Sequence, residues 1–142
     1  MTENSVFDAY SRYYDLLYRD KDYVAEVGYI CSLLDHYGVG GSDILEFGSG
    51  TGTHGRLLAE HGYKVFGIER SAEMVAQASV TEGFSCMQGN ICTVRLGKMF
   101  DAVLSLFHVV SYQVRNEAVQ AVLARAADHL TRGGVFIFDV WY

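Results

Sequence analysis

The 142-residue chain contains no proline, so its breaks have to be read from its 15 glycines and from turn-forming polar residues. Cysteine is scarce and odd in number: Cys31, Cys86 and Cys92, with no C-x-x-C pair. That excludes a disulfide framework and a zinc site of the usual spacing, and it fits a reducing cytoplasm. Basic residues are outnumbered 11 to 17, for a net charge of −6. A broad nucleic-acid surface needs clustered lysine and arginine, so a nucleic-acid partner is not expected, whereas a small-molecule partner remains open. No apolar run approaches the roughly 20 residues that span a bilayer, and the polar, acidic N-terminus lacks the pattern of a signal peptide; no membrane partner is expected. What remains is the composition of an ordinary globular domain, half apolar and one-fifth charged.

The most informative stretch is Ile44-Leu45-Glu46-Phe47-Gly48-Ser49-Gly50-Thr51-Gly52-Thr53. A short apolar run carries one carboxylate and then breaks into alternating glycines. This predicts a buried strand, a tight turn and a helix start, where a ligand can lie against main chain without meeting a Cβ. Amides at that helix start favour negative groups. Around it the pattern alternates. Helices are predicted over Val6–Tyr18, Tyr23–Tyr37, Thr53–Glu60, a stretch capped by Ser71, and Val114–Leu130. Strands are predicted over Asp43–Phe47, Tyr63–Ile68, Phe84–Gln88, Phe100–Leu106 and Val135–Val140, the last set off by Arg132-Gly133-Gly134. The long helix is expected to bury Val119, Val122, Leu123, Ala126, Ala127 and Leu130 on one face. Strand–helix alternation implies an α/β fold: a Rossmann-like parallel sheet of about five strands with helices on both faces. Residues 1–40 are expected to form a helical segment and 41–142 the ligand-binding core.

Two ligands compete for the glycine loop. Gly50-Thr51-Gly52-Thr53-His54-Gly55 matches G-x-G-x-x-G, and Glu69 follows about 20 residues on, as in a dinucleotide fingerprint, so a nicotinamide-dependent oxidoreductase is one reading. Against it, the glycines begin earlier, at Gly48, and Glu46 would place a carboxylate beside a pyrophosphate. About 40 residues of helical pattern also precede a strand that usually comes first.

Glu46-Phe47-Gly48-Ser49-Gly50-Thr51-Gly52 resembles the first motif of class I S-adenosylmethionine-dependent methyltransferases, in which an acid precedes G-x-G-x-G. That ligand carries a sulfonium, an ammonium and a carboxylate, with no phosphate. The resemblance implies that Glu46, Gly48, Ser49, Gly50, Gly52 and Thr53 line the cofactor S-adenosyl-L-methionine. It places Glu69, followed by Arg70, against the ribose hydroxyls. The other reading of Glu69 is a carboxylate favouring the next helix start.

In the family an Asp after the third strand accepts from the adenine amino group and the next backbone amide serves a ring nitrogen. Here the pair is Asn90 and Ile91, which keeps the acceptor and loses the charge; a plain Gly89-Asn90 turn is the alternative. Leu106, Phe107 and His108 resemble the family's fourth motif, lying over the methionine portion. His108 is the histidine placed to act as a general base, against a plain packing role. His36, His54, His61 and His129 are assigned no chemistry. No metal is expected, because a sulfonium methyl is already activated.

Tyr10, Tyr13, Tyr14, Tyr18 and Tyr23 make the N-terminus strongly aromatic. Many small-molecule methyltransferases carry a similar Tyr-Asp-x-x-Tyr-like helix that closes over the cofactor, a resemblance that implies a helical lid segment over residues 1–40. Tyr14 and Tyr18 are the candidates here for the ligand carboxylate or sulfonium; ordinary packing accounts for the other tyrosines. Together these features look most like bacterial nucleotide-sugar N,N-dimethyltransferases, which implies transfer of a methyl group to a small-molecule acceptor, such as the amine of a nucleotide-linked sugar. Relative to that family the chain lacks the last helix and two strands. An apolar fifth-strand edge is therefore expected, a site for homo-oligomer formation. A chain that binds the cofactor yet is inactive is a further expectation on the same ground.

Overall fold

The structure, a computed structural model, describes residues 22–78, 80–106 and 116–139. The predicted first helix over Val6–Tyr18 lies outside them, as do Tyr14, Tyr18, Phe107 and His108. In chain order the elements are α1 (Tyr23–His36), β1 (Asp43–Phe47), α2 (Thr53–Glu60), β2 (Lys64–Glu69), α3 (Ala72–Gln77), β3 (Phe84–Gln88), β4 (Phe100–Ser105), α4 (Asn116–Asp128) and β5 (Leu130–Phe138). All neighbouring strands pair in parallel, in the order β3-β2-β1-β4-β5.

Residues paired across a parallel sheet share a face, which explains the two cores. Ile44 of β1 lies beside Val65 of β2 and Ala102 of β4, and Val65 beside Phe84 of β3. This row meets Val27, Ile30 and Leu34 of α1 and Leu58 of α2. The alternate row, including Leu45, Phe47, Ile68 and Val103, meets Val122 and Ala126 of α4 on the opposite face. Helices therefore cover both faces, as strands apolar on both sides require. Among the described residues no helix is long and apolar enough to cross a membrane.

Several predicted boundaries move. β2 ends one residue later than expected and takes Glu69 into the strand. β5 starts at Leu130 and ends at Phe138, so Arg132-Gly133-Gly134 lies inside it. The register slips between Phe100 and Ala102, and Gly133 has φ 85°, so a bulge absorbs a sequence that reads as a helix stop. α4 in turn ends at Asp128, where the buried His129 ring takes over. Its Nε2 accepts from Leu96 N at 3.1 Å, and its Nδ1 lies 2.6 Å from Arg125 O. Leu123 and Ala127, expected on the buried face, are exposed, because α4 presents a narrower stripe through Val122 and Ala126. β5 forms one edge of the described sheet, with Phe138 exposed.

Candidate active site at the strand ends

The sheet order reverses between β1 and β4: the chain proceeds from β1 outward through β2 and β3, then returns to β4. Open α/β sheets bind ligands outside the carboxyl ends of strands at such a point. Here the end of β1 continues into the glycine loop. Gly48, Gly50 and Gly52 have φ of 72°, 59° and 86°, values that side-chain-bearing residues rarely adopt. The loop is tied back to β2, since Gly48 N donates to Ile68 O at 2.7 Å. Within the loop Gly52 N donates to Ser49 O at 2.9 Å, and Arg56 Nη1 of α2 donates to Thr51 O at 2.7 Å. A Cβ on Gly50 would meet only Met74 Sδ, at 3.8 Å, so the outer surface of the loop is clear for a ligand.

Glu69 is buried at the end of β2. Its Oε1 accepts from Gly50 N at 2.9 Å and its Oε2 from Ser71 N at 2.7 Å. One carboxylate thus clamps the glycine loop to the start of α3, a role that sequence spacing alone did not disclose. A carboxylate has about four acceptor positions, so capacity remains for a ligand hydroxyl. Burial pushes its pKa up, and the bonds from the Ser71, Gly50 and Arg70 amides pull it back. Ser71 caps α3 as expected, accepting from Met74 N at 3.2 Å.

Glu46 is 1% exposed. Its Oε1 has no hydrogen-bond partner, and a Cβ on Gly55 of α2 would lie 3.3 Å from it. Burial first, and the neighbouring Glu69 second, push its pKa up to about 8. Ser49 Oγ and Ser105 Oγ, at the ends of β1 and β4, are also buried without partners. A Cβ on Gly67 would fall inside the Ser49 side chain, so Gly67 is a necessary space inside β2. Gly55 and Gly67 were missed as supporting residues, although a glycine inside a helix or strand is itself a signal of close approach.

Beyond β3, Asn90 is exposed and its Oδ1 accepts from Cys92 N at 2.8 Å, while its main-chain oxygen accepts from Val94 N at 2.9 Å. The segment is a turn, and one lone pair of that side-chain oxygen remains for a ligand. Ile91 is buried in the α4-side core, Leu106 is buried just past β4, and Arg70 is half-buried. The structure thus brings Glu46, Gly48, Ser49, Gly50, Gly52, Thr53, Glu69, Arg70 and Leu106 to the ends of β1, β2 and β4, with Asn90 and Ile91 just beyond β3. His54 is buried at the start of α2, edge-on to the Tyr23 ring, with Nε2 3.7 Å from a Glu26 carboxylate oxygen; it docks α1 onto α2. An open groove of about 410 Å³ beside α2, lined by Thr53, Arg56, Leu57, Ala59, Glu60, Thr81 and Glu82, shares only Thr53 with these residues. Among the described residues no cluster of three or more His, Cys, Asp or Glu side chains could hold a metal ion.

Comparison with known proteins agrees with this geometry. A dTDP-3-amino-3,4,6-trideoxy-alpha-D-glucopyranose N,N-dimethyltransferase from Streptomyces venezuelae is 37% identical over 136 residues, which cover 91% of this chain and 56% of that protein. The crystal structure of Streptomyces venezuelae DesVI superposes with a TM-score of 0.83 at 35% identity, over 91% of this chain and 56% of the other. SAM-bound CalS10, an amino pentose methyltransferase from Micromonospora echinaspora involved in calicheamicin biosynthesis, superposes with a TM-score of 0.84 at 28% identity, again over 91% and 56%. The chain spans little more than half the length of these relatives. The family described as "Methyltransferase domain" matches residues 44–134, from the first residues of β1 to the bulge of β5. By that match, which takes in the glycine loop and the strand ends around it, the chain belongs to the methyltransferase-domain family.

Proposed function

We propose that the chain binds S-adenosylmethionine at the ends of β1, β2 and β4 and serves methyl transfer to a small-molecule amine, such as that of a nucleotide-linked amino sugar. The observation that carries this reading is the positive-φ glycine loop at the switch point, clamped by Glu69 and preceded by a buried acid. The residues fit the ligand. Glu69 has lone pairs for ribose hydroxyls, Asn90 an acceptor for adenine, and Ser49 Oγ and Ser105 Oγ are buried polar atoms lacking partners beside the loop. When bound, S-adenosylmethionine supplies an already activated methyl group. The chain's own part is to hold that methyl in line with a nucleophile and exclude water, catalysis by proximity and orientation. In the same reading Leu106, buried just past β4, is the candidate neighbour of the methionine portion; Tyr14, Tyr18, Phe107 and His108, the candidates for ligand contact and for the base, lie outside the described residues.

The relatives' names support the sugar-amine acceptor, and the cytoplasm is the proposed compartment. Calorimetric titration with S-adenosylhomocysteine, with NADH as control, tests the cofactor; micromolar binding of the former alone is expected. Binding of NADH alone would overturn the reading. Turnover with a nucleotide-linked amino sugar then tests the acceptor, and binding without turnover would leave a cofactor-binding domain that is inactive by itself.

A further inference from the structure

Two buried carboxylates stand at the ends of adjacent strands, and their surroundings differ sharply. Glu69 accepts two backbone N–H bonds, so its ionised form has donors. Glu46 is 1% exposed, packed between α2 and the sheet, with an oxygen that nothing bonds. Among the described residues, the groups around it do not neutralise a second charge. Its register partners are Gly67 of β2 and Leu104 of β4, and Cys86 of β3 pairs with Gly67. α2 brings Gly55 against it and also carries His54 and Arg56, but Arg56 Nη1 is committed to Thr51 O. Glu26 of α1 lies 3.7 Å from His54 and adds negative charge behind it. Glu69 is the charge that bears directly on Glu46. Two like charges in one buried site do not both ionise, and the group without donors keeps the proton.

We propose that Glu46 is the protonated member of this carboxylate pair and that it releases its proton to solvent when a sulfonium-bearing ligand occupies the strand ends, so that the site tells methyl donor from spent product by the charge it acquires at Glu46. The inference rests on the reading of the site as a methyl-donor site. The balance is simple. The bound donor adds one positive charge and Glu46 loses one proton. After transfer the sulfur is neutral, the positive charge leaves on the methylated amine, and Glu46 takes a proton back from solvent. Glu46 acts here as a specificity-determining residue and forms no bond to the donor.

The size of the effect follows from the charges. An opposite charge within about 4–6 Å favours ionisation by roughly 1–3 pH units. Starting from a carboxyl that titrates at about 8, binding at pH 7 then releases roughly 0.4–0.9 protons. Preference for donor over product should rise roughly tenfold or more between pH 6 and pH 9. The sulfonium makes the donor's own ammonium more acidic than that of the thioether, so the proton release assigned to Glu46 is the part that Glu46→Gln abolishes.

The test is calorimetry of the full chain with S-adenosylmethionine and with S-adenosylhomocysteine, in buffers of different ionisation enthalpy, repeated for Glu46→Gln. Proton release with the sulfonium ligand, little with the thioether, and loss of that release in Glu46→Gln would support the proposal. Equal proton counts for the two ligands would overturn it while leaving the methyl-donor reading intact; binding of neither ligand would overturn both. Should Glu46→Gln fail to fold, carboxyl carbon-13 titration of the ligand-free chain decides. A glutamate titrating near pH 8 is expected, and glutamates all titrating below about 5.5 would refute the protonated state.

Discussion

Replacing Glu69 by alanine separates a side chain that only touches ligand from one that holds the site together. In the ligand-free chain its two oxygens accept from Gly50 N at 2.9 Å and Ser71 N at 2.7 Å. Hydrogen bonds to a charged group contribute roughly 1.5–3 kcal/mol each, so the clamp is worth roughly 3–6 kcal/mol before any offset. The offset is burial, which pushes the carboxyl pKa up despite those bonds, so removing the group relieves a desolvation cost. What remains is the cost of leaving Gly50 N and Ser71 N without their acceptor, about 1–3 kcal/mol each, so the expected loss for Glu69→Ala at pH 7 is about 2–3 kcal/mol, or roughly 30- to 150-fold in the folding equilibrium. Glu69→Gln should fall between. Its carbonyl can keep one amide, but its NH2 faces the other, a donor against a donor. Urea unfolding of the three ligand-free proteins at matched m-value measures this directly. Unchanged or increased stability of Glu69→Ala, together with weakened S-adenosylhomocysteine binding, would refute the clamp and leave Glu69 as a ligand contact alone.

Other substitutions probe neighbouring claims. The pKa of Glu46 is raised on folding to about 8, so its contribution to stability is fully present below the unfolded value near 4.5 and is lost as pH rises through 8. Between pH 7 and pH 9 the wild type should therefore lose about 1 kcal/mol relative to Glu46→Gln; parallel urea midpoints across that range would contradict it. Gly67→Ala drives a methyl into the Ser49 side chain and should cost about 1–3 kcal/mol, much of it recovered in the double variant with Ser49→Gly. Additive rather than compensating effects would show that Ser49 is not what occupies that space. Ser71→Ala removes the cap on Met74 N and should cost about 1 kcal/mol, visible as faster hydrogen exchange of the Met74 amide; unchanged exchange there would deny Ser71 the capping role.

The sequence by itself determined the alternation of strand and helix, the position of the glycine loop and the candidacy of Glu46 and Glu69. These are local properties: an apolar run of strand length, glycines where φ must turn positive, a serine where α3 begins. β1 and β3 lie where the pattern puts them, because their signals are contained within a few residues. Only the tertiary structure decided what each acid does. Glu46 and Glu69 look alike in sequence, yet one is wedged against Gly55 without a donor and the other receives two amides from segments flanking its strand end. The bulge at Gly133 likewise followed from the register with β4, which no local pattern contains. The exposure of Leu123 and Ala127 reflects which stripe of α4 meets the sheet. Local chemistry sets what a segment can become. The charge state of a buried carboxyl, and the space that Gly67 leaves for Ser49, depend on neighbours that are distant in sequence and meet only when the sheet assembles.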